Sequence, residues 1–349
     1  VKGFCPSFVS VIGGQLKKSK AALSAGEFAC LPEPAHPDLN RPWNIVVTGV
    51  GGTGVLTVTA VLAMAAHIEG KGCATMNQTG LAQKFGPVVS HLRVANKQED
   101  INAVRIPAGD ADVLLGCDLV VSTSDEAIAK VNVERTQAVV NVSESPTAEF
   151  VYNTEAEFPA DSMKQMIEEE VGAGKVDFVT ATSIATKLLG DAVATNFFML
   201  GYAFQKGYIP VSLSAIEEAI ELNGVAVDLN KQALLWGRRA VVDLDAVRQA
   251  AGVDSTPWQP LQTLDDIVDY RYEQLVDYQD ARYADRFKYL VEKVKGVEIG
   301  LSNAEASEFR LSKAVAKALF KVMAYKDEYE IARLYSNGEF KRQIEEQFE

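Results

Sequence analysis

The sequence predicts an α/β protein: an open, Rossmann-like, mostly parallel sheet followed by an all-helical module. Three observations carry this. Short apolar strands alternate with helices between residues 43 and 145, as in repeated βα units whose strands are buried on both faces. A glycine-rich turn, Gly49-Val-Gly-Gly-Thr-Gly54, joins the first of these strands to the first helix. Beyond about residue 240 the composition shifts, and eight of the eleven tyrosines lie past residue 265.

Residues 1–42 read as an N-terminal segment and linker, the remnant of a preceding domain, with a strand over Phe8–Leu16. Four prolines in Leu31–Pro42 remove donors and block helix. Asn44–Thr48 is a short apolar strand. Val55–Glu69 has no Pro or Gly, is rich in Ala and Leu, and stops at Gly70, which makes it a helix. Further strands are expected at Cys73–Met76, Val88–Ala95, Asp118–Ser122 and Ala138–Val142, with a helix at Asp125–Lys130. Helices at Ser162–Val171, Ala181–Leu189, Thr195–Lys206 and Ser214–Glu221 complete the α/β domain, residues 43–240. Ser214 and Glu217 have the spacing of a capping box. Pro257 and Pro260 mark the border of the helical C-terminal module, residues 241–349, with helices at Leu264–Lys295, Ala304–Tyr325 and Glu328–Glu349.

Composition narrows the function. Apolar residues make up 48% of the chain and charged ones 23%, the balance of a globular protein with a core. No apolar run approaches the roughly 18 residues that span a bilayer, so no membrane partner is expected. Lys and Arg number 34 against 47 Asp and Glu, a net charge of −13. A phosphate-binding footprint is basic, so nucleic acid is not an expected partner either. Four cysteines (Cys5, Cys30, Cys73, Cys117) make no disulfide scaffold and suit a reducing cytoplasm. The chain opens on Val1 and stops inside a helical pattern, Phe340–Glu349, so it reads as a piece of a longer polypeptide.

The turn fits G-x-G-x-x-G and follows a strand into a helix, the context that motif requires. Glycines admit backbone N–H groups close to a phosphate, and the helix N-terminus adds its positive end. The candidate anion-binding residues are Gly49, Gly51, Gly52, Thr53 and Gly54, with Asn77 and Arg93 as side-chain donors expected near the carboxyl end of the sheet. Gly51 is the position expected to need a positive φ. The bland alternative is a tight corner with no ligand. A nicotinamide site wants an acidic residue about 20 positions on, at the end of the second strand. That stretch is Ala74-Thr-Met-Asn-Gln78, with no carboxylate and no Arg.

The helix behind the turn is apolar on nearly every face, so it needs cover on both sides. The helices of residues 160–238 or another domain could supply it. His67, on that helix, reads as a satisfied core histidine. His91 and Arg93 share one strand face and offer either a phosphate or carboxylate contact or a surface salt bridge. Asp110, Asp112 and Asp118 read as turn formers, and Cys73 and Cys117 as core thiols. Cys5, in Cys-Pro, has no second cysteine within ten residues, so this chain alone holds no cluster there.

Several segments together carry a resemblance. Gly49-Val-Gly-Gly-Thr-Gly-Val55, Asn77-Gln-Thr-Gly-Leu-Ala-Gln-Lys84 and Val89-Ser-His-Leu-Arg93 resemble the gamma domain of 2-oxoacid:ferredoxin oxidoreductases. So do Ala111–Leu115 before Asp118, Pro146-Thr147, Asn196-Phe-Phe-Met-Leu-Gly201, and Asn230 with Ala233 and Gly237. Lys2–Phe8 and the tyrosine-rich tail narrow it to the long, fused indolepyruvate ferredoxin oxidoreductases. Phe85-Gly86 departs from the pattern, where two small residues are expected.

The resemblance implies a parent enzyme that oxidatively decarboxylates an aryl pyruvate on thiamine diphosphate and Mg. Electrons then pass through 4Fe-4S clusters to ferredoxin, and an acyl-CoA forms. It implies that this region packs on the thiamine-diphosphate and iron–sulfur domains of the same polypeptide and helps bind CoA, and that Cys5 is a severed iron–sulfur ligand. No cofactor is expected to stay tightly bound here and no catalytic residue is assigned. The chain alone is expected to be inactive, because it lacks the thiamine motif of Gly-Asp-Gly followed by an Asn-Asn pair. Homo-oligomerisation is expected. The competing readings are a stand-alone nucleotide-binding oxidoreductase and a ligand-free scaffold.

Overall fold

The computed structural model describes residues 11–14, 31–79, 86–143, 158–253, 263–301, 309–325 and 327–348. The chain divides into two compact units, Lys18–Ser255 and Thr256–Glu349 together with Val1–Lys17. The expectations for Phe8–Leu16, Cys5, Cys30, Pro146, Pro257 and Pro260 lie wholly or mostly outside the described residues.

The first unit is built on six strands: β1 (Trp43–Val50), β2 (Gly72–Thr79), β3 (Pro87–Ala95), β4 (Val113–Gly116), β5 (Gln137–Asn141) and β6 (Val176–Val179). Their order is β2-β3-β1-β4-β5-β6. β1, β4, β5 and β6 pair in parallel, while β3 runs antiparallel to both β1 and β2. The sheet is therefore mostly parallel, as the buried apolar runs require. The reversed β3 lies between the first two strands.

Helices cover both faces. On one lie α1 (Val55–Ile68), α5 (Ala181–Leu189), α6 (Thr195–Gln205), α7 (Leu213–Asn223), α8 (Val227–Val242) and α9 (Leu244–Ala251). On the other lie the short α2 (Leu119–Ser122) and α4 (Ala160–Val171). Between α2 and α4 in sequence falls α3 (Asp125–Ile128). Residues such as Ile45, Val47, Leu62 and Phe198 fill the first layer, and Val46, Leu114, Val140 and Ile167 the second. α6 and α8 cross at backbone contact. A Cβ on Gly237 would fall on the Phe198 carbonyl, and one on Gly201 on the Leu234 carbonyl.

Two local expectations are corrected. Asp118–Ser122 is not a strand. The strand ends at Gly116, and the Asp118 carboxylate accepts from the Val121 N–H at 2.9 Å, which caps α2. The cap of α7 is Ser212, whose hydroxyl accepts from the Ala215 N–H, not Ser214. The sequence pattern does not show β4, β6, α8 or α9. Residues 31–42 have no regular secondary structure but are held by side chains. Gln205 Nε2 donates to the Pro32 carbonyl at 2.6 Å, and Trp43 Nε1 to the Tyr208 carbonyl at 3.0 Å.

The helical unit contains α10 (Leu264–Tyr278), α11 (Ala281–Leu301), α12 (Arg310–Met323), α13 (Glu328–Ser336) and α14 (Glu339–Gln347). Leu264, Ile267, Val268, Leu275, Phe287, Val291 and Ala316 form its core. The Leu264–Lys295 pattern is a helix pair, because Asp280 accepts from the Tyr283 N–H and starts a new helix. The last predicted helix breaks at Gly338, whose φ is +87°. Among the described residues no helix is long and apolar enough to cross a membrane.

Candidate functional site

β1 and β4 are parallel neighbours, and their next connections leave in opposite directions, through α1 on one face and α2 on the other. Ligands of doubly wound folds bind at such a point, outside the carboxyl ends of the strands. The glycine turn lies there.

Each glycine has its own task. A Cβ at Gly49 would strike the Val55 side chain and reach Cys117 Cβ at 3.3 Å, so Gly49 lets β1 pack against the start of β4's loop. Gly51 donates its N–H to the Gly86 carbonyl at 2.7 Å, tying the turn to β3. The positive φ values are at Gly52 (+87°) and Gly54 (+94°), not at Gly51. Gly54 is the N-cap of α1, with no side-chain cap hydrogen bond. The first N–H groups of a helix have no partner within it. Among the described residues, nothing lies within 4 Å of a Cβ placed on Gly52.

Side chains lock this shape. Thr53 Oγ1 donates to the Val50 carbonyl at 2.8 Å, so its hydroxyl serves the turn itself. Asn196, at the start of α6, donates from Nδ2 to the Thr53 carbonyl at 2.7 Å. Asn141, at the end of β5, donates to the Cys117 carbonyl at 3.0 Å and to Thr182 Oγ1 at 2.9 Å, and accepts from the Ala181 N–H at 3.1 Å. Thr195 Oγ1, beside Asn196, donates to Thr182 Oγ1 at 3.4 Å and links the two sets. Burial and the neighbouring Asp118 push the Cys117 thiol up to about 12, so it stays protonated. Burial also raises the Asp118 pKa.

Of the predicted donors, Asn77 lies on the edge strand β2, separated from β1 by β3, and Arg93 lies at the far end of the sheet. Asn77 is exposed on β2, level with Ser90 and Val47. Arg93 pairs with Asn44, at the amino end of β1, because β3 runs backwards. Its Nε donates to Asn44 Oδ1 and its Nη1 to the Ala103 carbonyl, both at 2.9 Å. A donor role for Arg93 at the turn is therefore corrected: it braces the opposite end of the sheet. The nicotinamide reading also loses its geometry, since β3 separates β2 from β1. Sequence reasoning passed over Asn196 and Asn141 as individual site residues. Their signal was an Asn at the edge of an apolar run.

His91, on the same strand face as Arg93, is fully buried. Its Nδ1 accepts from the Ile106 N–H at 3.2 Å, which leaves the proton on Nε2, 3.0 Å from Gln78 Oε1. Burial, then the nearby Lys130, lowers its pKa from 6.5 to about 4. The sign follows: below pH 6.5 the unfolded chain takes up a proton that the folded chain refuses until about pH 4. Stability should fall across that window by up to about 3 kcal/mol and level off beneath it. Urea unfolding of the wild type and His91→Asn at several pH values checks this. The pH-dependent loss should be smaller in the variant by that amount.

His67 is corrected too: it is exposed, not a core histidine. It continues an open stripe of α1 with Leu56, Ala60 and Met64, while α7 covers another side of the helix.

The sequence pattern of the family described as pyruvate ferredoxin/flavodoxin oxidoreductase matches residues 44–240, and a family of unknown function matches residues 264–349. The indolepyruvate oxidoreductase subunit IorB of Thermococcus kodakarensis is 30% identical over 208 residues, covering 58% of this chain and 98% of that one. The subunit of the same name from Archaeoglobus fulgidus is 32% identical over 203 residues, covering 56% of this chain and 92% of its own length. The crystal structure of pyruvate oxidoreductase subunit PORC from Thermotoga maritima overlaps 57% of this chain and 97% of that one, at 23% identity and a TM-score of 0.42. With a match over more than half of its length, the chain belongs to the pyruvate ferredoxin/flavodoxin oxidoreductase family, its glycine turn and six-stranded sheet lying inside the matched region.

Proposed function

We propose that this chain supplies the gamma-type part of an indolepyruvate ferredoxin oxidoreductase, packing on the thiamine-diphosphate catalytic domains and receiving CoA at the glycine turn. The observation that carries the reading is the open, uncapped start of α1 at the switch point of the sheet. Its N–H groups and dipole favour an anion, and the phosphates of CoA are anions. The names of the relatives, subunits of indolepyruvate oxidoreductase, support the substrate class and the need for partner subunits or domains. Thiamine diphosphate, bound in those partners, supplies the decarboxylation chemistry, and iron–sulfur clusters carry the electrons to ferredoxin. This chain's own residues bind and orient: Gly52, Gly54 and Val55 offer N–H groups, and Thr53, Asn196 and Asn141 hold the loops in place.

Gly52 is the position to test. Asn and Asp tolerate a positive φ better than β-branched residues, so Gly52→Asn and Gly52→Asp keep the turn. Only Gly52→Asp sets a carboxylate against the bound phosphate. Calorimetric titration with CoA should show Gly52→Asp weakened by about tenfold or more, which is roughly 1.4 kcal/mol. Gly52→Asn should lose less. Equal CoA affinity in the wild type and a folded Gly52→Asp would overturn the site, as would no CoA affinity in the wild type.

A further inference from the structure

The helical unit carries a face that its own core does not use. α11 and α12 run antiparallel. Glu298, near the end of α11, accepts from the Leu311 and Ser312 N–H groups at 2.9 Å, and Tyr283, near its start, donates its hydroxyl to the Met323 carbonyl at 3.1 Å. Tyr283, Leu290 and Val297 follow one another at every seventh position, so they share the side of α11 that adjoins α12. On α12, Leu311, Ala318 and Val322 form a stripe beside it, spaced i, i+7 and i+11. Leu290, Val297, Leu311 and Val322 are between 42% and 73% exposed. An apolar strip thus runs along the outer seam of the two helices, over the length of about 21 Å that the 14 residues of α12 span.

Cations flank the strip on both sides. Arg286 and Lys293 alternate with Leu290 and Val297 along α11, and Arg310, Lys317 and Lys321 form the row next to Leu311, Ala318 and Val322 on α12. All five are exposed. Among the described residues, Arg286, Lys293, Arg310 and Lys317 form no salt bridge. The lysines on the opposite side of α11 do: Lys288 lies 3.8 Å from Asp269 and Lys295 3.1 Å from Asp265, both acids of α10. No Asp or Glu occurs between Phe309 and Tyr325. On α11, Asp285 is turned to α10, where it accepts from the Tyr272 hydroxyl at 2.9 Å, and Glu292 lies two turns on along the same side.

We propose that this face is the docking surface for an acidic amphipathic helix of a partner protein. Two rows of cations about an exposed apolar strip complement a helix whose apolar stripe is bordered by Glu or Asp, the pattern by which one helix selects another. The charge around the face sets the width of the occupant. α10 packs beside α12, with the Arg271 guanidinium 4.2 Å from the Phe320 ring centre, and it carries Asp265, Asp266, Asp269, Glu273 and Asp277. A broad anionic surface, such as a bilayer or a nucleic-acid duplex, meets those acids as well, and the chain's net charge of −13 opposes it. An occupant one helix wide meets only the cations. The inference does not depend on the CoA reading.

Fluorescence anisotropy of a labelled three-heptad peptide titrated with the full chain tests it. The peptide has Leu at a and d and Glu at e and g, and its twin has Lys at e and g. At low salt the Glu peptide should bind with a Kd below about 10 μM, and the Lys peptide at least about tenfold more weakly. Lys317→Glu and Val322→Asp, both at exposed positions, should each raise the Kd of the Glu peptide at least about fivefold with unchanged circular dichroism. Lys187→Glu, at an exposed cation of α5, should leave it unchanged. No binding of the Glu peptide, or equal binding of the two peptides, overturns the proposal. So does unchanged affinity in folded Lys317→Glu and Val322→Asp. Tighter binding to phosphatidylglycerol vesicles than to the Glu peptide would give the face to a membrane and overturn it as well.

Discussion

Gly237→Ala is expected to destabilise the α/β unit by more than about 3 kcal/mol. The argument is steric. The added methyl would fall on the Phe198 carbonyl oxygen and press the Tyr202 N at 2.9 Å. Both obstacles are backbone inside α6, so no rotamer change relieves them, and the two helices must separate. Separation opens the layer filled by Phe198, Leu234 and Trp236. Gly201→Ala should behave alike, because its methyl meets the Leu234 backbone from the other side. Gly296→Ala is the control: it lies in α11, and among the described residues nothing comes within 4 Å of the new methyl. Helix propensity then favours Ala by up to about 1 kcal/mol. Chemical unfolding of the three variants should give losses for the first two and none for the third.

Asp112→Ala is expected to cost about 1.5–3 kcal/mol, the range for hydrogen bonds to a charged group, because Asp112 is buried while Arg41 and Arg135 reach solvent. Asp112 is 1% exposed at the amino end of the sheet. Its oxygens accept from Arg41 at 2.6 and 3.1 Å, from Arg135 at 2.9 Å and from the Asn44 N–H at 2.8 Å. The hydrogen bond to Asp112 holds the Arg41 guanidinium above its ordinary pKa. Truncation leaves the Asn44 N–H and the Arg135 guanidinium without that acceptor, and it removes the side-chain anchor of Arg41. Asp112→Asn should cost less, since it retains one acceptor oxygen. Thermal unfolding followed by circular dichroism ranks the three proteins as wild type, Asn, then Ala.

Much of the fold was legible because it rests on local signals. The strand of Asn44–Thr48, the turn and the helix after it form one apolar run broken by glycines, and the structure keeps all three. The antiparallel β3 was less legible, since a strand's direction is set by its partners rather than by its own residues. That reversal is what carries Arg93 to the far end of the sheet. Asp118 shows another limit. Leu119-Val-Val121 has strand propensity, yet the capping bond from Asp118 to the Val121 N–H turns it into α2. The glycines Gly201 and Gly237 were read only as pattern matches. Their task, close approach of two helices some 30 residues apart, is a property of the tertiary crossing.

At the site, the sequence located the turn but not the division of labour within it. Positive φ falls on Gly52 and Gly54, and Gly51 serves as a hydrogen-bond tie. Asn196 and Asn141 reach the crevice from distant parts of the chain, and only the packing of α6 and β5 brings them there.

A crystal structure of this chain with CoA tests the anion site at the glycine turn most directly. A CoA phosphate is expected at the start of α1, its oxygens within about 3 Å of the N–H groups of Gly52, Gly54 and Val55. CoA bound elsewhere, with the start of α1 empty, would contradict it.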